Sequence, residues 1–478
     1  MPERYLSSRA RQTSSWFVEQ IAASRETKQE KLSGIHGNNM KITSAVIVPD
    51  AASENLGDMA LVREAILFLR DLNINDITVL NSSNETKLKE VCNIQNINVV
   101  QNILPHPRRS RHKSQDKVKE SLPSLILMIL YSIYDFIFGQ LVLFFSPYSS
   151  IIKLLLKPQQ YKAYLAFVQA SLVVVKGGGF LHAYGGIYSF YYIWYALYNL
   201  KLAHRLKKPV VILPNSFGPF IGFGVISQVK KVLAPCVFIS ARESISAQKL
   251  AEVIQRPVPV YPDMGYFLAA SPPEKGQALC QQYGLPPQNK KLIGFTVRPY
   301  RFPGSPDPMA SFKQYLRAIS ELIHYISQQD FYPVLITQVA GPSAHENDRL
   351  AIQELQNLIK DVKHTWLDFS GNCQDAKAVY GCLDYLVGTR FHSVIFAQGK
   401  GVPCLAIAYG GNKALGIMTD MGLPDCVIPI ERVDGKTLNQ KMDLLIKNEQ
   451  EVKLKLHNWL EQAMPKRQEM LTHVASLL

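Results

Sequence analysis

Short β-branched and aliphatic runs recur along the chain, separated by longer stretches whose apolar residues repeat every three or four positions. That alternation predicts strands and helices in turn, and hence parallel sheets. In the first half the runs are Val46-Ile47-Val48, Ile77-Thr78-Val79-Leu80, Ile97-Asn98-Val99-Val100, Leu172-Val173-Val174-Val175, Val210-Val211-Ile212-Leu213, Val237-Phe238-Ile239-Ser240 and Val258-Pro259-Val260-Tyr261. Prolines and glycines then cluster at Pro272, Pro273, Gly276, Pro286 and Pro287. A second series follows: Leu292 to Val297, Val334 to Thr337, Thr365-Trp366-Leu367, Tyr385-Leu386-Val387, Cys404 to Ile407 and Val427-Ile428. Amphipathic helices are expected between them, such as Phe312–Ile326 and Arg349–Ile359.

This pattern divides the chain into a polar, basic arm (1–42), a first α/β domain (43–271), a linker (272–290), a second α/β domain (291–432) and a charged helical segment (433–478) expected to pack back across the domains. One stretch breaks the pattern. Leu122 to Phe145 is almost wholly apolar and aromatic, close to the roughly 20 residues needed to span a bilayer. A single crossing would separate strands that belong to one sheet. We therefore expect the insertion (108–157) to form a helical hairpin lying in the membrane interface, with Arg108-Arg109-Ser110-Arg111-His112-Lys113 on lipid phosphates. The alternative is a helical insertion packed on the protein itself.

The formal charge of +14 fits phosphorylated substrates, an anionic membrane surface or nucleic acid. The basic residues are dispersed and match no nucleic-acid-binding module, which argues against the last. The seven cysteines are scattered without a C-x-x-C pair and read as reduced thiols in a cytoplasmic protein. No apolar signal core opens the chain, and no metal-ligand spacing stands out.

Polar groups gather just after the strands, where open α/β sheets bind ligands. Asn55-Leu56-Gly57-Asp58 follows the first strand, the glycine read as a tight turn and Asp58 as a helix cap or a substrate ligand. Gly177-Gly178-Gly179 follows Val173-Val174-Val175 and would let backbone approach a ligand closely. Asn215 and Ser216 follow the next strand, Arg242 the one after, and Arg298 the first strand of the second domain. Gly388-Thr389-Arg390-Phe391-His392-Ser393 joins a strand to a helix N-terminus, pairing a fixed cation with a titratable imidazole where backbone N–H groups favour anions. Arg390 could equally pair with a structural carboxylate, and His392 could cap the helix. The tyrosine-rich stretch Tyr184 to Tyr198 reads as packing.

Taken together, N-L-G-D at Asn55–Asp58, G-G-G at Gly177–Gly179, N-S-F-G-P at Asn215–Pro219, A-R-E-S at Ala241–Ser244, P-D at Pro262–Asp263, G-T-R-F-H-S at Gly388–Ser393 and Lys413 resemble the polysaccharide pyruvyl transferase family. The resemblance implies two Rossmann-like domains facing a cleft, similar to B-type glycosyltransferases. It implies transfer of pyruvate from phosphoenolpyruvate to a sugar as a ketal, without a cofactor. Arg390 and His392 match the family's active-site Arg and His. The block at 108–146 lies outside the family pattern.

Phosphoenolpyruvate brings a phosphate and a carboxylate, for which Arg390, Lys413, Arg298 and the helix N-terminus at Phe391 are candidates. His392 is the expected general acid toward the methylene carbon, although a helix N-terminus lowers an imidazole pKa unless a bound anion opposes it. Asp58 would accept the acceptor's proton or bind the sugar. Asn55, Gly177, Gly178, Gly179, Asn215, Ser216, Arg242 and Ser393 complete the expected substrate contacts. The acceptor would be a lipid- or nucleotide-linked saccharide at the inner face of the membrane. The competing readings are a nucleotide-sugar glycosyltransferase of similar fold and a non-catalytic component of polysaccharide assembly.

Overall fold

The computed structural model describes residues 42–50, 52–81, 85–105, 122–186, 188–286, 290–341 and 343–478. The basic arm and the basic run at 108–113 lie outside these residues. The first sheet holds β1 (Ser44–Val48), β2 (Asp76–Leu80), β3 (Asn98–Val100), β4 (Leu172–Val175), β5 (Gly178–Tyr184), β6 (Val210–Ile221) and β7 (Phe238–Ala241), in the order β3-β2-β1-β4-β6-β5 with β7 also on β6. The second holds β8 (Lys291–Thr296), β9 (Phe331–Ile336), β10 (Thr365–Leu367), β11 (Tyr385–Gly388), β12 (Cys404–Ala408) and β13 (Val427–Pro429), in the order β10-β9-β8-β11-β12-β13. Every pairing is parallel, for example Val46 beside Val173 and Val387 beside Phe295. Parallel strands are covered on both faces, which is why these runs are aliphatic throughout instead of alternating. Val173 and Val174 are fully buried.

In each sheet the strand order reverses beside the first strand, between β1 and β4 and between β8 and β11. Such reversal points open a crevice at the carboxyl ends of the strands. The two halves meet there. Asn55 forms an antiparallel bridge to Val339, Asn412 donates to the Phe217 carbonyl at 3.3 Å, and Tyr266 donates to Gln398 at 2.8 Å. Helix Pro273–Gln282, started by its proline, packs so closely on helix Cys373–Tyr380 that a Cβ on Gly276 would lie 3.0 Å from the Ala378 carbonyl. The last helices touch both halves: Trp459 stacks edge-on against Tyr266, and Glu449 accepts from Tyr385 at 2.6 Å.

Two local expectations change. The apolar stretch is one continuous helix, Leu122–Phe145, followed after a turn by the short helix Ser149–Leu155, and not a hairpin. Gly139 does not break it, and a Cβ there would lie 2.6 Å from the Trp194 ring. The strand expected to stop at Leu213 runs on to Ile221. Pro214 and Gly218 break neither side, because β5 pairs laterally with this second half, Gly178 beside Asn215 and Tyr184 beside Ile221.

Candidate active site

The loop after β1 opens helix Leu56–Asp71. Asn55 is its cap, accepting from the Gly57 and Asp58 amides at 3.1 and 3.3 Å. The expected cap, Asp58, stands instead in the first turn with its carboxylate 3.4 Å from Lys176, the residue after β4. Burial works against its charge, but Lys176, His392 and Lys413 outweigh that and hold its pKa low. Gly57 is helical, not a turn. A Cβ there would fall 2.3 Å from the His392 ring, so the glycine admits the imidazole of the other half.

His392 is the second residue of helix Phe391–Gln398, with Arg390 as its cap residue. Its Nε2 is buried and has no hydrogen-bond partner. Burial pushes its pKa down to about 4, more than Asp263 and Asp58 raise it. The imidazole is therefore neutral near pH 7. Arg390 is committed: its Nε donates to Asp348 at 2.8 Å, and Nη2 reaches the same carboxylate at 2.6 Å and the Glu346 carbonyl at 3.1 Å. Ser393 is fully buried and bonds Thr296 at 2.8 Å and the Arg390 carbonyl. It holds this strand–helix corner together.

On the other side, Arg242 forms a buried pair with Asp263 at 2.6 Å and donates to Ser216 at 2.7 Å. Ser216 in turn donates to Glu243, whose carboxyl burial pushes up to about 7. Asn215 lies fully buried beside Ser216, with Oδ1 unpartnered. The glycine triplet makes close approaches to the chain itself. Gly177, at φ 93°, faces the Pro214 carbonyl, and a Cβ on Gly179 would lie 2.7 Å from the Arg242 guanidinium.

Two cations differ from these paired ones. Arg298, just beyond β8, and Lys413, at the start of helix Lys413–Asp420, have no carboxylate partner among the described residues. They converge on Tyr409. The Arg298 guanidinium lies 4.1 Å from its ring centre and the Lys413 ammonium 4.6 Å, donating to the hydroxyl at 3.4 Å. Burial would raise the phenol pKa, but Arg298, Lys413 and Arg390 bring it down to about 7. Burial and the neighbouring Arg242 and Arg298 lower the pKa of Lys413, Tyr409 opposing them. Arg298 Nε is buried without a hydrogen-bond partner. Positive charge without an ion-pair partner, next to an orphaned donor, is the setting that favours an anion. The structure thus brings Asp58, His392, Arg298, Lys413 and Arg390 to one cleft, at the reversal points of both sheets.

A profile of the polysaccharide pyruvyl transferase family matches residues 55–411, which hold strands of both sheets and Asp58, His392, Arg298 and Arg390, with Lys413 just beyond. The chain belongs to the polysaccharide pyruvyl transferase family. The amylovoran biosynthesis protein AmsJ of Erwinia amylovora is 24% identical over 285 residues, which are 55% of this chain and 65% of that protein, just under two thirds of its length. Among solved structures, a glycosyltransferase from Rickettsia africae superposes with a TM-score of 0.50 at 13% identity, over 91% of this chain and 99% of its own. The UDP-GlcNAc 2-epimerase of Neisseria meningitidis superposes at 0.53 and 10% identity, over 91% and 100%. At these identities the likeness is one of fold, the paired parallel sheets of B-type glycosyltransferases.

In this pyruvyl transferase family member, sequence reasoning passed over Lys176, Asp263 and Tyr409 as site residues. Asp263 stands in the P-D motif and Lys176 directly before the glycine triplet, so both were adjacent to signals. Tyr409 has no sequence signal of its own, because its setting is made by Arg298. The tyrosines expected only to pack divide: Tyr198 is buried, whereas Tyr184 and Tyr192 are exposed and flank His182, with ring centres 4.9 and 5.5 Å from it. The Tyr184 hydroxyl lies against Gly410 and Gly411, 3.1 Å from a Cβ built on the first.

Proposed function

We propose that this cleft transfers pyruvate from phosphoenolpyruvate to a saccharide of a polysaccharide precursor as a ketal, releasing phosphate. The observation that carries the reading is the Arg298–Tyr409–Lys413 cluster, cationic and with no carboxylate in ion-pair contact among the described residues, beside a buried unpartnered His392 Nε2. A donor with a phosphate and a carboxylate supplies the two anionic groups that this cluster lacks. Arg390, neutralised by Asp348, buttresses the strand end behind them.

In the reaction two bonds form from sugar oxygens to the second carbon of the donor, and the bond from that carbon to the phosphate oxygen breaks. Of the two hydroxyl protons, one ends on the methylene carbon, making the methyl group, and the other leaves with phosphate. His392 is neutral at rest and must gain a proton for this relay. Bound donor anions raise its pKa so that it protonates the methylene carbon, and the first hydroxyl, attacking the cationic carbon that results, returns its proton to the imidazole. Asp58, held ionised by Lys176, orients an acceptor hydroxyl as a hydrogen-bond acceptor. Tyr184 and Tyr192 at the rim offer aromatic faces to a sugar ring.

The test is phosphate release from phosphoenolpyruvate in the presence of a panel of saccharide acceptors. Release that depends on an acceptor and falls by at least about 100-fold in His392→Ala supports the assignment, since general acid–base catalysis is worth roughly 10²–10⁴-fold. Acceptor-dependent release undiminished by that change would remove His392 from the chemistry. No release with any acceptor would remove the reaction.

A further inference from the structure

Within helix Leu122–Phe145, the stretch Ile126–Phe145 is long and apolar enough to cross a membrane by length and composition. It is nonetheless laid flat against the first half. Phe136 packs on Trp194 at 4.8 Å, Val142 and Leu143 are buried, and Asp135 is 1% exposed beside Tyr191. Its other side is uncovered. Leu130, Ile133, Tyr134, Ile137, Leu141 and Phe144 are 45–64% exposed, and their spacing of three, four and seven sets them in one stripe. Leu154 on the next helix is 87% exposed. The stripe continues sideways through Phe190, which touches Phe136 at 6.0 Å and lies 3.2 Å from a Cβ built on Gly224. Next to that glycine, Phe223 is 92% exposed, the most exposed large apolar side chain described.

An uncovered apolar face of this size has an occupant. The surrounding charge selects it. Lys153 on helix Ser149–Leu155, Lys157 just after it and Lys162 on the following helix Pro158–Gln169 are exposed, and the whole chain carries +14. Lysine is depleted from protein–protein interfaces, but lysines bordering leucine and phenylalanine, with exposed tyrosines such as Tyr134 and Tyr148 at the edge, are the composition of a helix lying in an anionic lipid surface. A crossing is incompatible with the fold: β3 before the helix and β4 after it belong to the same sheet. We propose that the outer face of this helix, with Leu154 and Phe223, docks onto an anionic bilayer, immersed about 5–10 Å as in-plane helices are. The rim tyrosine Tyr192 belongs to helix Ser189–Ala196, which also carries Phe190. The docked face thus adjoins the cleft mouth and turns it toward the membrane. This inference concerns where the protein sits and stands whether or not the donor assignment does.

The test is flotation of the full chain with vesicles of phosphatidylcholine alone and of phosphatidylcholine with phosphatidylglycerol, at low and high salt. Wild type should float with the anionic vesicles and lose binding as salt rises. Leu130→Asp/Ile137→Asp/Leu154→Asp should bind at least ten-fold more weakly, with an unchanged circular dichroism spectrum. Phe223→Asp, on a loop where folding is not at stake, should weaken binding several-fold. Absence of wild-type binding, or equal binding by both variants, would overturn the proposal. So would a vesicle-free dimer, seen by light scattering, that the triple variant converts to monomer, because a second copy would then be the occupant.

Discussion

Gly57 and His392 belong to opposite halves and share one space. An alanine at Gly57 would favour the helix by up to about 1 kcal/mol, yet its Cβ would fall 2.3 Å from the imidazole. Gly57→Ala should therefore leave thermal stability within a few degrees of wild type and reduce acceptor-dependent phosphate release by about 100-fold, as misplacement of a catalytic group by about 1 Å does. Equal activity would show that His392 has room to move without consequence. Tyr409 yields a pH prediction. Its pKa is depressed to about 7, so the phenol becomes phenolate as pH rises through 7. A phenolate satisfies Arg298 and Lys413 and competes with an anionic donor. Donor affinity, measured by calorimetry, should fall more steeply between pH 6 and 8.5 in wild type than in Tyr409→Phe. Both residues explain why the site was only partly legible. Arg298, Lys413, Asp58 and His392 follow strands and could be read from position. The steric reason for Gly57 and the electrostatic setting of Tyr409 come from residues remote in the chain.

At the scale of elements, the reversal points of the two sheets do the positioning. β1 and β4 deliver Asp58 and Lys176, and β8 and β11 deliver Arg298, Arg390 and His392. The β-branched runs announced most of these strands, because burial on both faces of a parallel sheet demands them. They did not announce the far half of β6, whose pairing with β5 overrides its proline and glycine. They announced an apolar helix at Leu122–Phe145 but not that it is unbroken, since apolar length alone does not distinguish one helix from two. The halves are also tied by Lys377 of helix Cys373–Tyr380. Its ammonium donates to the carbonyls of Gly265, Tyr266 and Leu268 at 3.1, 3.0 and 2.8 Å. Lys377→Met keeps the volume and strands three buried acceptors, each of which costs roughly 1–3 kcal/mol when unsatisfied. The variant should unfold at lower urea, by at least about 2 kcal/mol. An unchanged urea midpoint would mean that water replaces the ammonium.

At the scale of the whole molecule, the charge of +14 resolves into distinct parts. Arg242 and Arg390 are neutralised by Asp263 and Asp348 inside the protein. Arg298 and Lys413 are left unmatched in the cleft, and the lysines around helix Ser149–Leu155 border the apolar face. The central claim is that the unmatched pair is the donor site. Calorimetric titration of phosphoenolpyruvate into wild type and into Lys413→Ala measures this most directly. Arg390→Ala is a poorer probe, because it would strand the buried Asp348 carboxylate. Saturable binding to wild type, weakened about 10- to 100-fold in Lys413→Ala as expected for loss of a charged hydrogen bond, is the predicted result. No binding of phosphoenolpyruvate to wild type, with saturable binding of a nucleotide sugar in its place, would contradict the account.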